Sequence, residues 1–191
     1  MNPICTNLAE HRQLLEALES EGFGVRLLGA ADLLEDCLRR AGVILVCGNG
    51  GSAADAQHIV GEFVGKFLRT RPAINAVCLS SNSSVLTAWG NDIDFETVFS
   101  RQVEAFAGTP FCLVALSTSG NSPNVVAAAQ TARRLGGKVV SLTGEGGGRL
   151  AAHTDILLDV PSRSTPRIQE LHIVVYHWLC EEIERRRSST A

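Results

Sequence analysis

The sequence predicts an α/β fold: a doubly wound, mainly parallel sheet of five strands flanked by helices, with two further helices ahead of it. Three observations predict it. Short runs of β-branched and apolar residues at 43–47, 73–79, 111–116, 138–142 and 155–160 alternate with stretches of helical periodicity. The runs are apolar almost without a break, as strands are when helices cover both faces of their sheet. Three of the loops that follow them, GNGGS, STSGNS and TGEGGG, are rich in Gly, Ser, Thr or Asn. Right-handed crossovers then join parallel strands, and ligands in such sheets bind beyond the carboxyl ends of the strands, where the strand order reverses.

The N-terminal elements come first. Leu8, Leu14, Leu15 and Leu18, then Leu27, Leu28, Ala31, Leu34 and Leu38, recur at roughly helical spacing, with Glu21-Gly22-Phe23-Gly24 between the two sets. Two amphipathic helices are expected within 1–41. Between the strands, helical patterns cover 52–68, 84–89, 95–106, 122–135 and 167–186. The sequence holds no internal linker and no sustained repeat, so the whole of 1–191 reads as a single domain.

Composition narrows the function classes. The chain has 191 residues, 45% of them hydrophobic and 19% charged, with a formal net charge of −3. That apolar content closes a core and argues against an intrinsically disordered chain. Without a basic block before the final ERRR, nothing supplies the counterion-releasing face of a general nucleic-acid binder. An aromatic fraction of 5% disfavours base-stacking platforms. No apolar run approaches the ~20 residues of a membrane span, and the first residues lack a basic segment followed by an apolar signal core. A cytoplasmic protein is expected, with no membrane partner. The six cysteines include no CxxC pair, and Cys47, Cys78 and Cys112 lie in strand-like runs, so reduced core thiols are expected.

Two loops suit a phosphorylated ligand. In LVALSTSGNSPN, Ser117, Thr118, Ser119 and Ser122 offer hydroxyls, Gly120 permits close backbone approach, and Pro123 suits a first helical turn. A helix N-terminus presents unpaired N–H groups and a partial positive charge, so an anion there needs no lysine. The same residues also suit a plain turn in which Ser122 caps the helix. In Cys47-Gly-Asn-Gly-Gly-Ser52, Gly48, Gly50 and Gly51 bring backbone amides toward a ligand, Ser52 is a candidate cap, and Asn49 can hydrogen-bond hydroxyls. The loop is neither a full dinucleotide fingerprint nor a Walker loop. Together the two loops offer one cradle for a phosphate and one polar wall for sugar hydroxyls.

His58 and Glu62 lie four residues apart and project from one helix face just past GNGGS, a pairing that binds a metal, moves protons or simply faces solvent. Near the other end, Gln169, Glu170, His172 and His177 sit on an apolar helix, where polar groups need partners. Helical geometry does not choose between the two histidines: His172 lies about −60° and His177 about +80° from Gln169 at ~100° per residue.

The stretch from Cys47 to His58 with Gly61-Glu62, then Gly90-Asn91-Asp92, Phe99-Ser100-Arg101-Gln102, Ser117 to Ser122, and Arg167-Ile168-Gln169-Glu170 to His177 closely resembles the sugar-isomerase (SIS) domain family, and within it the phosphoheptose isomerases. The resemblance runs in the same motif order over about 43–182 and implies a flavodoxin-like SIS fold. It implies an aldose–ketose isomerase that converts sedoheptulose 7-phosphate to D-glycero-D-manno-heptose 7-phosphate, the first step toward activated heptose for lipopolysaccharide, capsule or other products. It implies metal ligands at His58, Glu62, Gln169 and His177 for one Zn2+ per subunit, and an acid/base pair of Glu62 and His177. Substrate contacts are implied at Asn49, Gly50, Gly51, Ser52, Glu62, Asn91, Asp92, Ser117, Thr118, Ser119, Ser122 and Gln169. A homotetramer with sites at subunit contacts is implied as well, which would give the helices of 1–41 a partner surface. The residue types fit this chemistry, because an enediol route needs one group to remove a proton beside a carbonyl and another to return it. Nitrogen and oxygen donors of this kind favour zinc over magnesium. Trp89 is a bulky neighbour expected to shape the sugar pocket. Two rival readings share the SIS fold: a non-catalytic factor that assists assembly of the bacterial replication initiator, and a sugar-phosphate-sensing module.

Overall fold

The computed structural model describes residues 3–188. Five strands form one sheet: β1 (Val43–Cys47), β2 (Ala76–Cys78), β3 (Phe111–Ser117), β4 (Lys138–Thr143) and β5 (Ile156–Asp159). Their order is β2-β1-β3-β4-β5, and every pairing is parallel. The helices are α1 (Pro3–Leu18), α2 (Glu21–Arg39), α3 (Gly51–Val64), α4 (Ser83–Asp92), α5 (Val98–Glu104), α6 (Pro123–Arg134) and α7 (Thr165–Ser188), with a 3-10 segment at Gly148–His153.

Alternation along the strands divides the core in two. Ile44, Val46, Cys112, Val114, Val140 and Leu142 point to the face covered by α2, α3 and α7. Val43, Leu45, Leu113, Ala115 and Val139 point to the face covered by α5 and α6. From β1 the chain steps outward to β2, then returns to the other side of β1 as β3. The order therefore reverses between β1 and β3, and their following helices leave toward opposite faces. That divergence opens the crevice in which doubly wound sheets bind ligands, and GNGGS and STSGNS form its two lips.

Several elements depart from the sequence expectation, each for a local reason. The N-terminal helices break at Glu19–Ser20, while Glu21-Gly22-Phe23-Gly24 forms the first turn of α2 because Phe23 is drawn into the core. Strand β2 is only three residues long, since it is an edge strand paired with Ile44–Val46 alone. Helix α3 stops at Val64, where Arg71 folds back to bind the carbonyls of Glu62 and Phe63. Helix α5 begins only at Val98, because the Asp94 carboxylate accepts the backbone N–H and hydroxyl of Thr97 and holds a turn ahead of it. Asn91 and Asp92, beyond the helix expected at 84–89, complete the last turn of α4, a helix capped at its start by Asn82 accepting from Val85 N–H.

Gly-rich TGEGGG serves as a buttress. A Cβ at Gly120 (φ +64°) would collide with the Gly147 carbonyl, so only glycine lets the two loops touch. Gly144 N–H donates to Thr118 O, Leu150 N–H to Gly120 O and Arg149 N–H to the Asn121 side chain, which fixes the STSGNS lip from behind.

Candidate active site

The crevice is lined by neutral polar groups. Asn49 and Asn124 pair their side-chain amides reciprocally at 2.8 and 3.0 Å and tie the two lips together. Ser80 locks the base of the first lip, accepting from Gly48 N–H and donating to Gly48 O. Gly50 stands at the N-cap of α3 with φ +54° and no side-chain cap bond. Ser52, expected as a possible cap, lies buried within the first turn.

Ser122 stands at the N-cap of α6, yet its side chain makes no cap bond. Its hydroxyl instead meets that of Ser117 at 2.9 Å. Both helix starts therefore go without a side-chain cap, their third and fourth N–H groups turning back on Gly50 O and Ser122 O, and each presents the positive end of its dipole at a lip. A cleft of about 240 Å3 lies here, lined by Asn49, Phe95, Glu96, Ser122, Pro123 and Asn124. Thr118 is half-buried beside it, and Ser119 is exposed, its hydroxyl accepting from Asn121 N–H.

Helices α3 and α7 run side by side on one face of the sheet, and their contacts advance in step. Gln169 abuts Gly51, where a Cβ would collide with the Gln169 amide. One stage further on, His58, Glu62 and His177 bring a ligand atom each within 4.8 Å of one another. His58 Nε2 lies 3.0 Å from Glu62 Oε1, and the His58 and His177 rings meet edge to face at 5.0 Å. His177 Nε2 is buried without a protein partner. Burial first, then the neighbouring His58, holds the His177 pKa below its usual value, against a smaller opposing pull from Glu62. A donor set of two imidazoles and a carboxylate, with one nitrogen unsatisfied, fits a zinc-type ion.

The structure resolves the choice between histidines in the helix frame. His172 points into the core, with no exposed surface, and its Nε2 bonds the Thr143 carbonyl at 3.1 Å. Burial pushes its pKa down to about 4. An imidazole kept neutral in the fold but protonated near 6.5 when unfolded costs stability as pH falls from about 6.5 to about 4, and nothing further below that. The expected loss amounts to roughly 3 kcal/mol over that window, at 1.36 kcal/mol per unit. Denaturant melts at pH 7 and pH 5 check it, and a His172→Leu variant should show a flatter dependence.

Gln169 stands eight residues before His177 on the same unbroken helix, a rise of ~12 Å, with its amide against Gly51 at the start of α3. Asn91 donates to Asp92 at 2.8 Å on the exposed end of α4, and among the described residues neither hydrogen-bonds to the crevice lips. Trp89 does not line the crevice: it packs on the α5 side of the core, donates to Thr97 Oγ1 and carries the Arg101 guanidinium over its ring.

Sequence reasoning passed over Asn124, Asp55 and Tyr176. Asp55 carried a legible sign, since it shares the helix face of His58 and Glu62 at spacings of three and seven. For Asn124 and Tyr176 no local pattern distinguished them from cap and core residues.

The SIS domain family model matches residues 8–144. A phosphoheptose isomerase from Desulfovibrio desulfuricans is 57% identical over 145 residues, covering 76% of this chain and 69% of that protein. One from Geobacter sulfurreducens is 47% identical over 186 residues, covering 97% and 98%. Among solved structures, phosphoheptose isomerase GmhA from Neisseria gonorrhoeae superposes with a TM-score of 0.88 at 42% identity, over 95% of this chain and 97% of that one.

Proposed function

The chain belongs to the phosphoheptose isomerase family of SIS-domain proteins, and from that premise we propose that the crevice lips and the His58–Glu62–His177 cluster are the two halves of its active site. The protein is an aldose–ketose isomerase that interconverts sedoheptulose 7-phosphate and D-glycero-D-manno-heptose 7-phosphate. The observation that carries the site assignment is the convergence of an early helix and the final helix on one carboxylate and two imidazoles.

In this reading the α6 N-terminus with Ser117, Thr118, Ser119 and Ser122 holds the phosphate. Asn49, Gly50, Gly51, Ser52 and Gln169 line the sugar, joined by Asn91 and Asp92 where substrate or a second copy draws them in. Glu62 and His177 share the proton traffic: one removes a C1 proton from the ketose, leaving an enediolate, and the other delivers a proton to C2 as the hydroxyl proton moves from O1 to O2. His58, Glu62 and His177 would hold a zinc ion, which when bound supplies Lewis-acid stabilisation of the oxygen charge.

Exposed apolar surface supports a homotetramer with composite sites. Gln169, beside the lips on the helix that carries His177, would complete the four-ligand set with His58, Glu62 and His177. Exposed Val64 and Leu68 on α3 and the loop that follows it, Ile173 and Val174 on α7, and Ile4, Leu8, Val25 and Leu28 on α1 and α2 offer apolar surface for such contacts. No helix among the described residues is long and apolar enough to cross a membrane. A cytoplasmic enzyme feeding nucleotide-activated heptose synthesis, for lipopolysaccharide or another heptosylated product, completes the proposal.

The test is incubation of the purified protein with sedoheptulose 7-phosphate, followed by separation of the aldose product, alongside elemental analysis of protein prepared without chelator. Turnover with about one zinc per subunit is expected. Full turnover in metal-free protein would reject the metal assignment, and binding of a replication initiator without turnover would favour the assembly-factor reading.

A further inference from the structure

His58 uses both ring nitrogens. Its Nε2 faces Glu62, while its Nδ1 lies 2.9 Å from the Tyr176 hydroxyl, whose oxygen is 3.4 Å from Asp55 Oδ1. Tyr176 is 1% exposed and Asp55 is buried one turn before His58 on the same face of α3. The hydroxyl carries one proton and has two acceptors within reach. Asp55 Oδ2 is already buried without a partner. If Tyr176 donated to His58, both oxygens of a buried carboxylate would go without a donor, the costlier arrangement for a charged group. If it donates to Asp55, its oxygen lone pair is left to accept from Nδ1–H of His58, and both contacts of the hydroxyl are satisfied.

We propose that Asp55 and Tyr176 are positioning residues that fix His58 as its Nδ1–H tautomer, so that the Nε2 lone pair points at Glu62 and His177. A lone pair and a carboxylate oxygen 3.0 Å apart are two acceptors face to face, an arrangement that needs a cation or a proton between them. The relay thus presets the nitrogen for an ion before any ion arrives, the service that outer hydrogen-bond partners give to metal-binding imidazoles. The inference rests on the metal reading of the cluster for its affinity arm only.

The experiment is long-range 1H–15N NMR of the full chain labelled at histidine, at a pH where the ring is neutral, before and after zinc addition, with His58→Gln to assign the signals. The expected result is a protonated Nδ1 on His58 in both states. Tyr176→Phe should shift the metal-free ring toward Nε2–H, now donating to Glu62, and weaken zinc binding ~10–100-fold in competition with a chromophoric chelator. Circular dichroism monitors the fold of the variant, and the wild-type tautomer stands as a test needing no variant. An Nε2–H tautomer in the wild-type protein would overturn the proposal, since it reports the opposite chain in which neutral Asp55 donates to Tyr176 and Tyr176 to His58. Unchanged tautomer populations in a folded Tyr176→Phe protein would overturn it too. A protein that shows the Nδ1–H tautomer yet does not isomerise the heptose phosphate would refute the isomerase reading and leave this one standing.

Discussion

Glu62→Gln is expected to lower kcat by ~10²–10⁴-fold, the usual contribution of a positioned general acid or base, with little change in thermal stability. The Glu62 side chain is half-buried, and among the described residues its carboxylate hydrogen-bonds only to His58. Its structural contacts run through the backbone carbonyl, which Arg71 binds whichever side chain is present. Glutamine keeps the length and shape but neither takes a proton nor carries charge to an ion. His177→Gln should behave alike in kcat, since among the described residues its Nε2 has no partner to lose. Steady-state kinetics with sedoheptulose 7-phosphate and parallel thermal melts decide the matter. A Glu62→Gln enzyme with unchanged kcat would remove this cluster from the chemistry.

The largest expected loss of stability lies about two turns beyond the site on α7. Glu184 and Arg71 form an ion pair at 3.3 Å with side chains almost wholly buried. Glu184 also accepts the backbone N–H groups of Phe67, Leu68 and Arg69 at 2.8–3.0 Å. Burial works to raise the Glu184 pKa, but these donors and Arg71 outweigh it, so the carboxyl titrates below its ordinary value. Arg71 in turn binds the carbonyls of Glu62, Phe63 and Pro72. Glu184→Ala strands a buried guanidinium and three backbone donors at once, and one-sided removal of a buried pair costs ~3–5 kcal/mol. At ~2–4 °C per kcal/mol for a chain of this size, Tm should fall by roughly 10 °C. Differential scanning calorimetry measures it. A shift under a couple of degrees would show that the pair is solvated and that α3 ends by its own propensity.

Much of the architecture was legible because sheet and helix write different periods into the chain. Near-continuous apolar runs at 43–47, 111–116 and 138–142 gave strands within a residue of β1, β3 and β4. The edge strand was overread, since apolar content does not say how many residues find a partner. Loop chemistry was legible as well: Ser122 was open between cap and ligand donor, and its pairing with Ser117 rather than with the helix end favours the second.

What the sequence by itself determined is local: which residues share a helix face, as His58 and Glu62 do, and which loops can bring bare N–H groups to an anion. The tertiary structure alone decided how α7 is rotated about its axis, sending His172 to the Thr143 carbonyl and His177 to His58 while parking Gln169 beside Gly51. Periodicity defines a face only relative to a helix's own axis. Which face meets the sheet and which meets α3 is settled by packing apolar stripes from segments more than a hundred residues apart, and no window of sequence contains that contact.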